Sequence, residues 1–380
     1  MTPAPIYLDY NATTPVDPRV LESMLPYLAV HYGNPSSDHV VGQRAKAAVD
    51  AARAEVAALI SAIPAEIIFT ACATEANNLA LLGAARAALP GGRTLLVTSA
   101  IEHPSVLQPL RHLAREGWSM TELLVDAAGR VRVDHAASVI TPEVALVSVM
   151  LANNETGSLQ AVRALADLAH AAGALMHVDA AQAVGKVAVD VNALGADLLT
   201  LAGHKFYAPK GVGALYVRTG VAIEPIQYGA GHEHGLRPGT ENVPHIVALG
   251  EAARLARTTL TQEAARMTAL RDRLHGLLAA AIPGLSLNGH PTERLPNTLN
   301  ISFPAVPGWQ VLATAPAVAA STGSACHASD HAVSGVLAAM GLTREAAAGA
   351  VRLSLGRFTT EAEIDRAAAA LISAWNSLRA

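Results

Sequence analysis

Asp197-Leu-Leu-Thr-Leu-Ala-Gly-His-Lys-Phe-Tyr-Ala-Pro-Lys-Gly-Val-Gly-Ala-Leu-Tyr-Val-Arg218 begins as a short apolar run and breaks at Gly203-His204-Lys205. After a Pro/Gly-rich turn it resumes as a second apolar run. Runs of this length bounded by turn residues read as strands, Asp197–Leu201 and Gly213–Arg218. Upstream, the same signal recurs at Glu66–Thr70, Thr94–Thr98, Val144–Met150 and Ala174–Asp179. Ala-rich helical stretches, Glu75 to Leu89 and Val162 to Ala172, lie between these runs, so the pattern is α/β with a largely parallel sheet. Downstream, Pro244 to Ile282 has the Ala/Leu/Arg pattern of one long helix, a connector to a second, α+β domain with strands at Leu299–Phe303 and Val351–Leu355. The expected division is a large domain over 14–257 and a smaller one made of 1–13 and 258–380.

The bulk numbers narrow the function classes. The chain has 380 residues, 51% of them hydrophobic, and a net charge of -4, which gives no reason to expect a nucleic-acid or anionic-membrane partner. Its start, Met-Thr-Pro-Ala-Pro-Ile-Tyr-Leu-Asp9, lacks the basic and apolar stretches of a signal peptide, and no segment approaches a membrane span, so a cytoplasmic protein is expected. Cys72 and Cys326 are the two cysteines and are read as reduced thiols. Fifteen histidines, including those of Gly231-His-Glu-His234, fall into no dedicated metal-ligand spacing, so no metal is expected.

In parallel sheets ligands sit at the carboxyl ends of the strands, and Asn153-Asn154, Asp179, His204 and Lys205 all follow such ends. Lys205 is one of four lysines. It is a better Schiff-base candidate than Lys46 in an exposed helical pattern, Lys186 after a Gly in a polar turn, or Lys210 between Pro209 and Gly211. Asp179 suits a pyridinium nitrogen, because a carboxylate closing an apolar run needs a partner, but an Asp that merely starts a turn fits as well. Gln182 reads either as a donor to a ring oxygen or as a solvated helix residue. Phe69-Thr-Ala-Cys-Ala-Thr-Glu-Ala-Asn77 is a small-residue turn entering a helix, the usual anion site, with Thr74 as expected N-cap and phosphate donor; a plain capped helix is the alternative. His103, in Ile101-Glu-His-Pro-Ser105, could stack on a planar group or simply occupy a turn. Arg352, inside an apolar strand pattern, suits a bidentate carboxylate clamp or a structural ion pair. Cys326 lies among small and polar residues, Ser321-Thr-Gly-Ser-Ala-Cys-His327, as a reactive loop thiol would, whereas Cys72 reads as a small buried residue. Lysine, carboxylate and thiol together suggest pyridoxal 5'-phosphate (PLP) chemistry on a sulfur substrate.

The ordered set of segments resembles the cysteine desulfurases, the NifS/IscS-like group of the class V, fold type I PLP enzymes. The segments are Tyr7-Leu-Asp-Tyr-Asn-Ala-Thr-Thr-Pro15, Gly33-Asn-Pro-Ser-Ser37, Ala73-Thr-Glu75, Asn153-Asn-Glu155, His177-Val-Asp-Ala-Ala-Gln182, Gly203-His-Lys205, Arg237-Pro-Gly-Thr240, Ser324-Ala-Cys326 and Arg352-Leu-Ser-Leu-Gly-Arg-Phe-Thr359. The resemblance implies a large domain with a mainly parallel seven-stranded sheet flanked by helices, and a smaller domain carrying the cysteine loop. It implies PLP on Lys205, Asp179 at the pyridine nitrogen, and Gln182 and Asn154 near the phenolic oxygen. His103 would stack on the ring, Ala73, Thr74 and His204 would lie at the phosphate, and Arg352 with Asn34 would bind the carboxylate of L-cysteine. Cys326 would take the sulfur as a persulfide for an acceptor such as an iron-sulfur scaffold or sulfur carrier. A homodimer is implied, with Thr240 reaching the partner's cofactor.

The sequence departs from that family in four places. Ala202 replaces the usual Ser of the phosphate motif, and His327-Ala-Ser-Asp-His-Ala-Val-Ser334 lacks the usual Glu-Pro-Ser pattern. Gly308-Trp-Gln310 and Thr314-Ala-Pro316 are unusual where a helix is expected, and the sequence stops at Ala380 without the extension that housekeeping relatives use to dock a scaffold. A selenocysteine lyase or another class V enzyme is the near alternative, and a non-catalytic partner-binding descendant the distant one.

Overall fold

The computed structural model describes residues 4–323 and 333–379. Two helices, α1 (Pro18–Ala29) and α2 (Val40–Leu59), precede strand β1 (Ile67–Thr70). An alternating series then follows: α3 (Ala73–Ala88), β2 (Leu95–Ser99), α4 (Pro104–Arg115), β3 (Ser119–Leu123), β4 (Val144–Met150), α5 (Val162–Ala171), β5 (Leu175–Asp179), β6 (Leu198–Ala202) and β7 (Gly213–Val217). The seven strands form one sheet in the order β1-β7-β6-β5-β4-β2-β3. All neighbours are parallel except β7, which runs antiparallel to both β1 and β6. Helices cover both faces, which is why β4, Val-Ala-Leu-Val-Ser-Val-Met, is buried at every residue and reads as continuous apolar sequence.

The 39-residue helix α6 (Val243–Ala281) spans roughly 58 Å at 1.5 Å per residue. Its first half, through Ile246, Leu249 and Ala253, packs into the core beneath the large sheet, and its second half, through Leu270, Leu274 and Leu278, into a separate core. Where α6 crosses α2, a Cβ on Gly250 would stand 2.6 Å from the Ala52 Cβ, so only glycine permits that approach. The second core is built on β8 (Thr298–Ser302) and β9 (Ala350–Ser354), an antiparallel pair, with helix α7 (Glu361–Arg379) packed over it.

One local expectation changes. Gly308-Trp-Gln310 does not interrupt the expected helix: Gly308–Thr314 is helical, and a short strand, Val318–Ala319, follows it and pairs with Ile6–Tyr7. Pro307 extends into the N-cap position, and the Gly308 Cα lies so near the Ala350 carbonyl that a Cβ would stand 2.3 Å away, which explains the glycine. The N-terminal strand therefore belongs to the second core, whereas Asn11 and Thr14 just beyond it are tied to the ends of the large sheet.

Candidate active site

The ends of β4, β5 and β6 and the start of α3 enclose a cavity of about 250 Å³. It is lined by Asn11, Ala73, Thr74, His103, Asn154, Asp179, Gln182, Ala202, His204, Lys205 and Arg352, among others. Of the residues that the resemblance assigns to the site, nine line this one cavity. Asn34 and Thr240 do not: both are exposed, and Asn34 Oδ1 accepts from the Ser36 backbone N–H. Cys326 lies outside the described residues.

Each side chain is positioned by the chain around it. Asp179 closes β5 and is 6% exposed; Oδ1 accepts from the Ala181 N–H at 2.9 Å and Oδ2 from Asn77 Nδ2 at 2.9 Å. The same Asn77 amide donates to Ser105 Oγ, whose hydroxyl lies 2.8 Å from His103 Nδ1. Because His103 caps α4, its Nδ1 accepts from the Ser105 N–H, which leaves the proton of a neutral ring on Nε2. Burial lowers the His103 pKa, so the ring is a flat, neutral surface at physiological pH.

Lys205 follows β6 and donates from Nζ to the carbonyls of Asn11, 2.7 Å, and Ala12, 2.9 Å. His204 bonds through Nδ1 to Thr13 Oγ1, and burial, reinforced by Lys205, Lys210 and Lys186, pulls its pKa down to about 4. An anion placed beside it would reverse that shift. Arg352 on β9 is 2% exposed; Nη2 meets Asp9 Oδ1 at 2.6 Å and Nη1 the Asn154 carbonyl at 3.1 Å, while Nε, buried, has no partner. That unsatisfied N–H makes Arg352 a ready carboxylate donor.

The anion end of the cavity is the first turn of α3. The N-cap is Cys72, not Thr74: Cys72 has extended φ/ψ, its side chain makes no capping bond, and Thr74 is the second helical residue, exposed at the mouth. The first helical backbone bond runs from the Ala76 N–H to the Cys72 carbonyl, so the N–H groups of residues 73 to 75 point out of the helix end without an intrahelical acceptor. Cys72 is half-buried and lines the cavity rather than the core. A Cβ on Gly213 would lie 2.9 Å from the Cys72 carbonyl carbon, so the glycine at the start of β7 lets the strand pass directly beneath this turn. Ala202, at the end of β6, faces the same end with a methyl group where a hydroxyl would have added a donor.

Three contributors were not singled out in the sequence. Asn11 joins both cores: its N–H meets Ser354 Oγ and its Nδ2 meets Thr298 Oγ1 and the Asn154 carbonyl, while its own carbonyl receives Gln182 Nε2 and Lys205. Glu102, fully buried beside His103, accepts from Ser99 Oγ and from the Met150 N–H; burial, and then the Asp179 charge, pushes its carboxyl up to about 8. Lys186 is also buried, contrary to its reading as a polar-turn residue. Its place four residues after Gln182 on one helical turn was the available clue. Among the described residues no cluster of His, Cys, Asp and Glu could hold a metal, and no helix is long and apolar enough to cross a membrane.

A helix N-terminus for a phosphate, a buried carboxylate, a flat histidine and a primary amine, all lining one cavity, fit PLP in kind. The comparison with known proteins decides the family: the aminotransferase class-V model matches residues 6–367. The chain belongs to the class-V aminotransferases. These are PLP-dependent enzymes, and the likeness within the family is close. Over 363 residues the chain is 48% identical to cysteine desulfurase 2 of Trichormus variabilis, covering 95% of this chain and 90% of that protein. A solved NifS-like protein superposes with a TM-score of 0.91 at 36% identity, covering 97% of this chain and 98% of that one. SspA, solved in complex with cysteine, superposes with a TM-score of 0.82 at 34% identity, covering 93% of this chain and 99% of SspA. The mainly parallel seven-stranded sheet is that of the fold type I class-V enzymes.

Proposed function

We propose that this class-V enzyme is a cysteine desulfurase, taking sulfur from L-cysteine onto Cys326 and releasing L-alanine. The observation that carries this reading is the convergence of Lys205, Asp179 and Arg352, from three different elements, on one cavity. Bound there, PLP supplies an electron sink that stabilises negative charge at the Cα of an amino acid. The first turn of α3 with Thr74 and His204 would hold its phosphate, Asp179 its ring nitrogen and His103 its face. Gln182 and Asn154 would flank its phenolic oxygen, and Ala202 leaves the phosphate one hydroxyl donor short.

Arg352 binds the substrate carboxylate. Asp9 already occupies Nη2, so the substrate meets a guanidinium held in place before it arrives, with the Nε N–H to spare. Lys205 Nζ, lining the same cavity, would take the Cα proton as general base. The Cys326 thiolate attacks the substrate Sγ; the Cβ–S bond breaks, sulfur stays on Cys326 as a persulfide, and the remaining three-carbon unit is protonated to alanine. The persulfide passes to an acceptor thiol of a scaffold or carrier protein in the cytoplasm.

A homodimer is part of this proposal. Leu21, Leu25 and Leu28 form a stripe on the outer face of α1, and Tyr32, 75% exposed, and Val40, 71% exposed, follow it in the chain as further bare apolar side chains that a second copy would cover. Thr240 and Asn34, absent from this chain's own cavity wall, would then reach a cavity across the interface.

The test measures alanine and sulfide released from L-cysteine with a reductant, comparing the PLP-loaded wild type with Cys326→Ser. Loss of sulfide in the variant with retained PLP colour supports the reading. Equal turnover by both proteins makes the thiol dispensable and points to a lyase, with selenocysteine as the substrate to try; absence of PLP uptake refutes the enzyme reading.

A further inference from the structure

Lys186 is a buried lysine with no part in the scheme above. Gln182 to Lys186 lie on a helical turn after β5, with the Val184 N–H bonded to the Ala180 carbonyl and the Lys186 N–H to the Ala183 carbonyl. This stacks the two side chains on one face. Lys186 Nζ donates to Gln182 Oε1 at 2.6 Å and to Asn11 Oδ1 at 3.2 Å. Both acceptors are neutral amides. Burial drives the Lys186 amine well below the ordinary lysine range, with Lys205 and Arg352 adding repulsion, and His204 is the third ionisable group that senses it. Two amide oxygens receive its N–H bonds, and among the described residues no carboxylate is a hydrogen-bond partner. A core methionine would fill the volume without the desolvation cost, so the amine is kept for what it holds.

It holds an amide the right way round. With Oε1 committed to Lys186, Gln182 Nε2 donates to the Asn11 carbonyl at 2.9 Å and has a second N–H left on a side chain that lines the cavity. The Asn11 carbonyl is also an acceptor for Lys205. We propose that Lys186 is a positioning residue, fixing Gln182 so that it offers the cavity an N–H and locking the Asn11 carbonyl that receives the Lys205 amine. The inference rests on the PLP reading. An N–H directed at the phenolic oxygen of the bound ring favours loss of the proton which that oxygen shares with the lysine nitrogen.

The experiment loads PLP into the wild type, Lys186→Met, Gln182→Ala and the double variant, and titrates the visible absorption of each from neutral to alkaline pH. In Lys186→Met the midpoint is expected to rise by about one pH unit, the usual size for losing a hydrogen bond to a charged form. Gln182→Ala is expected to raise it similarly, and the double variant to go no further than Gln182→Ala alone. Lys186→Gln, which keeps one donor and buries no charge, is expected to give a smaller rise and stands in if Lys186→Met does not fold. An unchanged midpoint in the foldable Lys186 variant, or shifts that add in the double variant, overturns the inference while leaving the enzyme reading intact. A wild type that takes up no PLP overturns both.

Discussion

Replacing Glu102 by Gln tests the electrostatics of the site floor without touching any group that meets the substrate. In the folded chain the carboxyl titrates near 8, pushed up first by burial and then by Asp179, against 4.5 for an exposed glutamate. Between those values the unfolded chain is ionised and the folded chain protonated, so folding takes up a proton and stability falls as pH rises. A displacement of about 3.5 pH units at 1.36 kcal/mol each is about 5 kcal/mol, an upper bound once water penetration and relaxation are allowed for. Glutamine retains an oxygen for the Ser99 hydroxyl and the Met150 N–H but has no proton to lose. The variant should therefore match the wild type near pH 5 and exceed it by roughly 2–5 kcal/mol above pH 8. Urea unfolding of both proteins at intervals from pH 5 to 9 gives the difference curve. A difference that stays constant across that range would refute the argument, since it would mean Glu102 is ionised in the fold or does not titrate there.

Other predictions concern neighbouring groups. Arg352→Ala removes one partner of a buried ion pair, a loss of about 3–5 kcal/mol, so the variant should lose stability, and a folded fraction should need at least about a hundredfold more L-cysteine for half-maximal rate. Ala202→Ser restores a hydroxyl at the anion end, and one added hydrogen bond of about 0.5–1.5 kcal/mol predicts PLP release slowed by about twofold to tenfold in a stopped exchange assay. Burial holds His177, bonded to Ser148 Oγ and Thr200 Oγ1, neutral down to about pH 4. Its depressed pKa adds stability present above about 6.5 and lost as pH falls towards 4, so His177→Gln should flatten the acid limb of the thermal-midpoint profile.

The sequence was legible where one pattern had one physical cause. Strands buried on both faces, such as Val144–Met150, announce themselves as unbroken apolar runs, and their ends place Asp179, His204 and Lys205 without further help. The seventh strand, Ser119–Leu123, carries Ser, Thr and Glu because it lies at the sheet edge with its face in solvent; no apolar run marks it, and only the family resemblance anticipated a seventh strand. Thr74 shows the limit of capping rules: a threonine two residues from the right place looks like a cap, yet the extended residue is Cys72, whose thiol caps nothing. Lys186 and Asn11 were invisible for a different reason. Asn11 depends on Ser354 and Thr298, hundreds of residues away, and Lys186 on Asn11 as well as on its near neighbour Gln182, so a local window holds at most the Gln182 spacing.

The knot of bonds at Asn11 also has a consequence for the order in which the chain matures on the ribosome. Asn11 precedes every strand of the large sheet, and its N–H partner, Ser354 Oγ, lies 343 residues later. The large sheet and the first half of α6 can pack before β8 and β9 are made, but the carbonyl that receives Lys205 is not pinned until those strands exist to hold it. Closure across so long a stretch of chain is slow compared with the pairing of neighbouring strands. The nascent sheet is thus denied a finished amine pocket until both strands of the second core have been made.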